Sequence, residues 1–235
     1  MGRIWAVCSG SGGVGKSTIA LALAAGAAKA GKQTVLLDAS GLARSCDLIL
    51  GFQSVVVLDM MDVISGQTEM DSALYPVSRY EKLRFACASL YDEVAVSELA
   101  GAIIALNSKC DVLVIDLPTG RAEIGRGIMC RDDWRILITR PDDASIRATE
   151  RLMINADDGV SAGIVINRMN RIRNRRGTQY GSDAVQSILD CPVIGRIPED
   201  PSIPASEQKG HAAIECDGPS WNALKELLQE LLSDA

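Results

Sequence analysis

Gly10-Ser11-Gly12-Gly13-Val14-Gly15-Lys16-Ser17-Thr18 decides the reading of this chain. It satisfies G-x-x-x-x-G-K-[ST], and its flanks are right: an apolar, strand-like run precedes it and an Ala- and Leu-rich stretch follows. Glycines let successive backbone N–H groups turn inward with no Cβ in the way, so the loop can wrap phosphate oxygens. The helix opening at Lys16 adds the partial positive charge of its N-terminus. Lys16 is expected to reach the β- and γ-phosphates and the Ser17 hydroxyl to ligate Mg²⁺, with Thr18 at the α-phosphate. Ser11, Gly12, Gly13, Val14 and Gly15 form the cradle.

Outward from that loop, short apolar runs alternate with helix-compatible stretches. Strands are expected over residues 3–9, 34–38, 83–88, 111–117, 134–139, 163–167 and 193–197, and helices over 16–29, 58–65, 94–107, 143–155, 182–189 and 220–232. Runs such as Val112-Leu113-Val114-Ile115 are continuous rather than alternating, as in strands covered on both faces. The expected fold is therefore α/β: a doubly wound, mostly parallel sheet with helices on both faces. No repeat, low-complexity tract or linker divides the chain, so residues 1–235 read as a single P-loop nucleotide-binding domain.

Composition narrows the function further. The 30 acidic and 24 basic residues leave a formal charge of -6, which argues against bulk attraction to nucleic acid or anionic lipid. At 47% hydrophobic and 23% charged residues the chain is globular, not disordered. No stretch approaches the ~18 apolar residues that span a bilayer, and Met1-Gly2-Arg3-Ile4-Trp5 lacks the regions of a signal peptide. The expected location is cytoplasmic. The seven cysteines are scattered, with no metal-ligand spacing, and read as thiols in a reducing compartment. One histidine, His211, leaves little room for zinc or histidine-based catalysis and reads as a surface or loop residue.

Two aspartates complete the expected site. Asp38 closes the second strand, and Asp116 ends the run 112–115 in the manner of a Walker-B carboxylate. Carboxylates at the C-terminal ends of parallel strands lie where such folds bind ligands. With Ser17 they would hold Mg²⁺, in part through its water shell. Lys16, Asp38 and Asp116 are the expected catalytic set.

Taken together, the residues resemble the MinD/ParA family of deviant Walker-A ATPases, and its MinD branch most of all. The likeness rests on Ser9 through Thr18, on Asp38-Ala39-Ser40-Gly41-Leu42 with Asp47-Leu48-Ile49-Leu50-Gly51, on Asp116-Leu117-Pro118-Thr119-Gly120, and on Ile197-Pro198-Glu199-Asp200. It covers roughly residues 3–210. The resemblance implies ATP (or ADP) with Mg²⁺, a nucleotide-dependent face-to-face homodimer, and a membrane or protein partner. It also implies that Asn167 reads the adenine, that Pro198, Glu199 and Asp200 line the base and ribose pocket, and that Gly120 belongs to a γ-phosphate-sensing switch.

Two departures matter. The family's signature lysine, which reaches the partner's ATP, falls on Ser11, and the carboxylate that positions the attacking water falls on Ser40. A positioned base is typically worth ~10²–10⁴ in rate, and a cation supplied in trans ~10³–10⁵. ATP binding with weak or absent hydrolysis is the resulting expectation. The polar face of the C-terminal helix carries Lys225 against Glu226, Glu230 and Asp234, whereas an interfacial helix gains from Lys and Arg. Packing on the core is expected there, which argues against membrane attachment by this route.

Residues 168–176 hold five arginines and read as a loop beside the nucleotide. A solvated loop is the ordinary reading; contact with DNA phosphates, acidic lipid or an acidic partner are the functional ones. Tyr180 alone supplies no aromatic interleaving, which argues against base reading. Three rivals stand beside the nucleotide-bound switch or scaffold. They are a competent MinD-type ATPase in septum placement, a ParA-like DNA-associated partition ATPase, and a pilus-assembly relative of MinD.

Overall fold

In the computed structural model, residues 1–41, 44–91, 94–122, 128–154 and 160–233 are described. Leu42, Asn155 and Asp234, which the sequence reading used, lie outside them. The chain runs β1 (Arg3–Cys8), α1 (Lys16–Lys29), β2 (Thr34–Asp38), α2 (Ser45–Leu50), α3 (Met60–Ile64), β3 (Tyr75–Pro76), β4 (Leu83–Cys87), α4 (Ala100–Asn107) and β5 (Val112–Asp116). It continues through β6 (Trp134–Thr139), α5 (Asp143–Ile154), β7 (Ser161–Met169), α6 (Arg171–Arg175), α7 (Ser182–Leu189), β8 (Val193–Pro198), α8 (Ser202–Glu207) and α9 (Ser220–Ser233). The eight strands form one sheet in the order β3-β4-β2-β5-β1-β6-β7-β8. All its pairings are parallel except β3 with β4.

Side chains alternate across the pleat, so each strand feeds two cores. Trp5, Val7, Leu36, Val112 and Val114 point to the face covered by α1 and α9, while Ile4, Ala6, Val35, Leu37, Leu113 and Ile115 point to the other. This double burial is why β2 and β5 read as unbroken apolar runs. Small alanines along α1 let it lie buried between the sheet and α9. On α9, Leu224, Leu227, Leu228 and Leu231 face inward, and the Lys225 ammonium stands 3.5 Å from the Trp221 ring centroid. The expected core packing of this helix is what the structure has. Among the described residues no helix is long and apolar enough to cross a membrane.

The short elements differ from expectation. Helices α2, α6 and α8 and the strand β3 carry too few residues to display a period. The helix expected over 94–107 begins only at Ala100, after a run of turns. Residues 168–176, expected as a loop, contain one helical turn whose start is capped by Asn170, which accepts from Ile172 N and Arg173 N.

Glu215 ties the end of α1 to distant chain. Its carboxylate accepts from Lys29, from Arg79 Nε at 2.9 Å and from the Tyr80 hydroxyl at 2.7 Å. Burial alone would raise its pKa, but these donors outweigh burial and hold it at about 2. A depressed folded-state pKa contributes stability above the ordinary value, which is lost as pH falls toward the folded one. Glu215→Gln is therefore expected to cost about 2 kcal/mol at pH 7. The gap between wild-type and variant melting curves should close between pH 4.5 and 2. A gap that stays constant across that window would remove the carboxylate from this account.

Candidate nucleotide site

The phosphate loop follows β1, the strand lying between β5 and β6 at the centre of the sheet. The crevice outside the carboxyl ends of such strands is where open α/β sheets take ligands. Gly15 holds φ +95°, and a Cβ there would stand 2.3 Å from Asn167 Nδ2. Gly10 packs as closely, since its Cβ would meet the Ala148 carbonyl oxygen at 2.1 Å. Gly12 and Gly13 have nothing within 4 Å of where a Cβ would lie, so the cradle is open. No side chain caps the N-terminus of α1. Its first N–H groups are thus available, and a loop of this shape fits phosphate.

Parallel registry brings the acidic residues together. Asp38 lies beside Asp116 across the β2–β5 pair, and Asp116 beside Val7 across β1–β5. Lys16 Nζ donates to Asp116 Oδ1 at 2.5 Å, an ion pair buried at both ends. Burial raises the Asp116 carboxyl above the usual carboxylate value; Lys16 pulls it down and Asp38 pushes it up. Both Asp38 oxygens accept hydrogen bonds: Oδ1 from Ser40 N at 3.0 Å and Ser40 Oγ at 2.6 Å, and Oδ2 from Cys46 N at 3.0 Å. The Gly120 N–H donates to Ser9 O at 2.8 Å, lacing the segment after Asp116 to the loop. The Ser17 hydroxyl with the two carboxylates is a hard-oxygen donor set, which suits Mg²⁺.

Other expected residues have partners of their own. Asn167 is buried, donates from Nδ2 to Val14 O at 2.7 Å, and accepts at Oδ1 from Arg168 N at 2.9 Å. It lies within β7 and braces the loop from below. Pro198 ends β8; Glu199 N donates to Met169 O, and Glu199 Oε2 accepts from Asn170 Nδ2 at 3.1 Å. Both oxygens of Asp200 are taken by the starts of two helices, Ser202 on α8 and Ser220 on α9. Those donors outweigh burial and lower its pKa. Here Asp200 closes helix ends. His211, in a connection as expected, lies with Nδ1 3.2 Å from Arg79 Nη2.

Sequence reasoning missed two residues. Cys46, at the start of α2, puts its Sγ 3.6 Å from Asp116 Oδ2. Burial pushes its thiol well above the ordinary value, and Asp38 and Asp116 add to that. Glu207, ending α8, comes up to the Thr18 side chain with Oε1 buried and unbonded. Burial raises its carboxyl while Thr18 and Arg168 oppose. Nothing local marks either one; both arrive through tertiary packing.

The ParA family, under the description NUBPL iron-transfer P-loop NTPase, matches residues 1–232. The chain is 30% identical over 249 residues to the septum site-determining protein MinD of Escherichia coli, covering 100% of this chain and 92% of that protein. It is 29% identical over 219 residues to MinD of Synechocystis, covering 91% and 82%. In fold it is similar to the chain in the MinC:MinD cell division protein complex of Aquifex aeolicus, with TM-score 0.85 and 24% identity over 99% of this chain and 96% of that one. It is also similar to MinD complexed with Mg-ADP from Pyrococcus horikoshii, with TM-score 0.81 and 24% identity over 100% and 99%.

Proposed function

Because the chain belongs to the MinD/ParA family of P-loop NTPases, we propose that it is a nucleotide-operated switch or scaffold in cell-division site placement that binds ATP·Mg²⁺ and hydrolyses it slowly. The observation that carries this reading is the buried Lys16–Asp116 pair beneath an open, uncapped glycine loop. Without nucleotide, Asp116 neutralises the lysine that a triphosphate would otherwise engage. With nucleotide bound, Lys16 would engage phosphate oxygens in place of one Asp116 oxygen, leaving the Asp116 carboxylate to help hold the cation. Ser17, Asp38 and Asp116 would hold Mg²⁺, which when bound offsets phosphate charge. Asn167 keeps a second Nδ2 hydrogen and a second Oδ1 lone pair with which to read adenine while it braces Val14. Pro198, Glu199 and Asp200 would line the base and ribose there.

Slow turnover is supported by what stands at two positions. Ser40 offers a hydroxyl that donates to Asp38, a far weaker base for the attacking water than the carboxylate the family places there. Ser11 offers a neutral hydroxyl where charge stabilisation calls for a cation. A face-to-face homodimer and a protein partner follow as proposals from the family. Calorimetry with ATP·Mg²⁺ on the full chain should show saturable heat. Phosphate release should stay within a few-fold of the Lys16→Ala background. Turnover far above that background would favour the competent septum-placement ATPase instead, and a flat thermogram would end the nucleotide reading.

A further inference from the structure

We infer that Cys46 is a ligand in the cation site and inclines it toward thiophilic divalent cations over Mg²⁺. The inference rests on reading Asp38 and Asp116 as the cation's carboxylates, but not on nucleotide binding or turnover.

Sγ of Cys46 and carboxylate oxygens of Asp38 and Asp116 all lie within 4.8 Å of one another, and all three side chains are buried. Tetrahedral bonds of about 2.0–2.3 Å place ligand atoms about 3.5 Å apart, so modest contraction closes the triad on one ion. The two oxygens of Asp116 are already divided: Oδ1 takes Lys16 and Oδ2 faces Cys46. A cation on the Cys46 side therefore need not expel the ammonium. Charge also balances. Two carboxylates and a thiolate, less the lysine, leave two negative charges for a dication; the S–H proton departs to solvent.

Backbone geometry holds the sulfur in place. The Cys46 N–H donates to Asp38 Oδ2 at 3.0 Å, and Sγ stands 3.9 Å from the Ser17 carbonyl oxygen. These contacts keep the sulfur beside Asp38 and Ser17, while Sγ stands 3.6 Å from Asp116 Oδ2. Mg²⁺ prefers oxygen and keeps its water, whereas thiolate draws Co²⁺, Zn²⁺ and Cd²⁺. Three protein ligands leave a fourth position for water or a phosphate oxygen.

The test is a Co²⁺ titration of the full, nucleotide-free chain, read by the thiolate-to-cobalt charge-transfer absorption. Wild type should give a band saturating at one ion per chain. Cys46→Ser should abolish the band and weaken Co²⁺ binding on the order of 10–100-fold. Cys130→Ser, at an exposed cysteine, should leave it intact. No band in folded wild type, or an unchanged band in Cys46→Ser, overturns the inference. Should Cys46→Ser fail to fold, the cadmium-113 chemical shift of the wild-type complex decides: one sulfur among oxygens supports it, an all-oxygen shift overturns it. No nucleotide is present, so a flat ATP thermogram would leave this readout standing.

Discussion

Lys16→Ala is expected to weaken ATP·Mg²⁺ binding on the order of 100-fold, since charge-assisted bonds to two phosphates are lost together. The same substitution strikes the fold. It strands the Asp116 carboxylate, fully buried, without its counter-charge, and breaking a buried pair from one side costs about 3–5 kcal/mol. The two losses can be separated. Lys16→Met with Asp116→Asn removes both charges and should recover most of the stability by thermal melt, yet bind no ATP by calorimetry. If the double variant melts as low as Lys16→Ala, the buried pair is not what the single substitution breaks. If Lys16→Ala binds ATP as wild type does, the lysine is not the phosphate ligand.

Installing Ser11→Lys together with Ser40→Asp is expected to raise phosphate release by about 10²–10⁴-fold over wild type. A lysine at residue 11 brings positive charge to the loop. An aspartate at residue 40 stands where the serine oxygen now sits, 2.6 Å from Asp38 Oδ1. Two carboxylates that close cannot both ionise freely, so one gains basicity. Each single variant should recover less than the pair, because groups that act as one unit do not add. Phosphate release over a protein-concentration series measures the effect and shows whether it needs a second copy. A rate unchanged from wild type in the folded double variant would mean that these positions are not what limits turnover.

Much of the architecture was legible because it is written locally. The strands 34–38 and 134–139 and the helices 16–29 and 182–189 have the boundaries their patterns imply, and the other expected strands differ by a residue or two at their ends. The Asp59 capping box, in which Asp59 accepts from Met61 N and Asp62 N, moves the expected helix start from 58 to Met60. The elements that escaped, α2, α6, α8 and β3, are too short to repeat the hydrophobic period that reveals longer ones.

The chain by itself determined the layered α/β fold, the glycine loop and the identity of its carboxylates. Backbone conformation, apolar periodicity and motif spacing act over a few residues and can be read there. Only the tertiary structure decided whom those residues meet. Lys16 pairs with Asp116 across 100 residues, Asn167 braces Val14 across 153, and Asp200 binds Ser220. Cys46 joins the two aspartates only once β2 and β5 lie in register. Such partnerships come from parallel strand order and the crossovers that set it, and no window along the chain contains them.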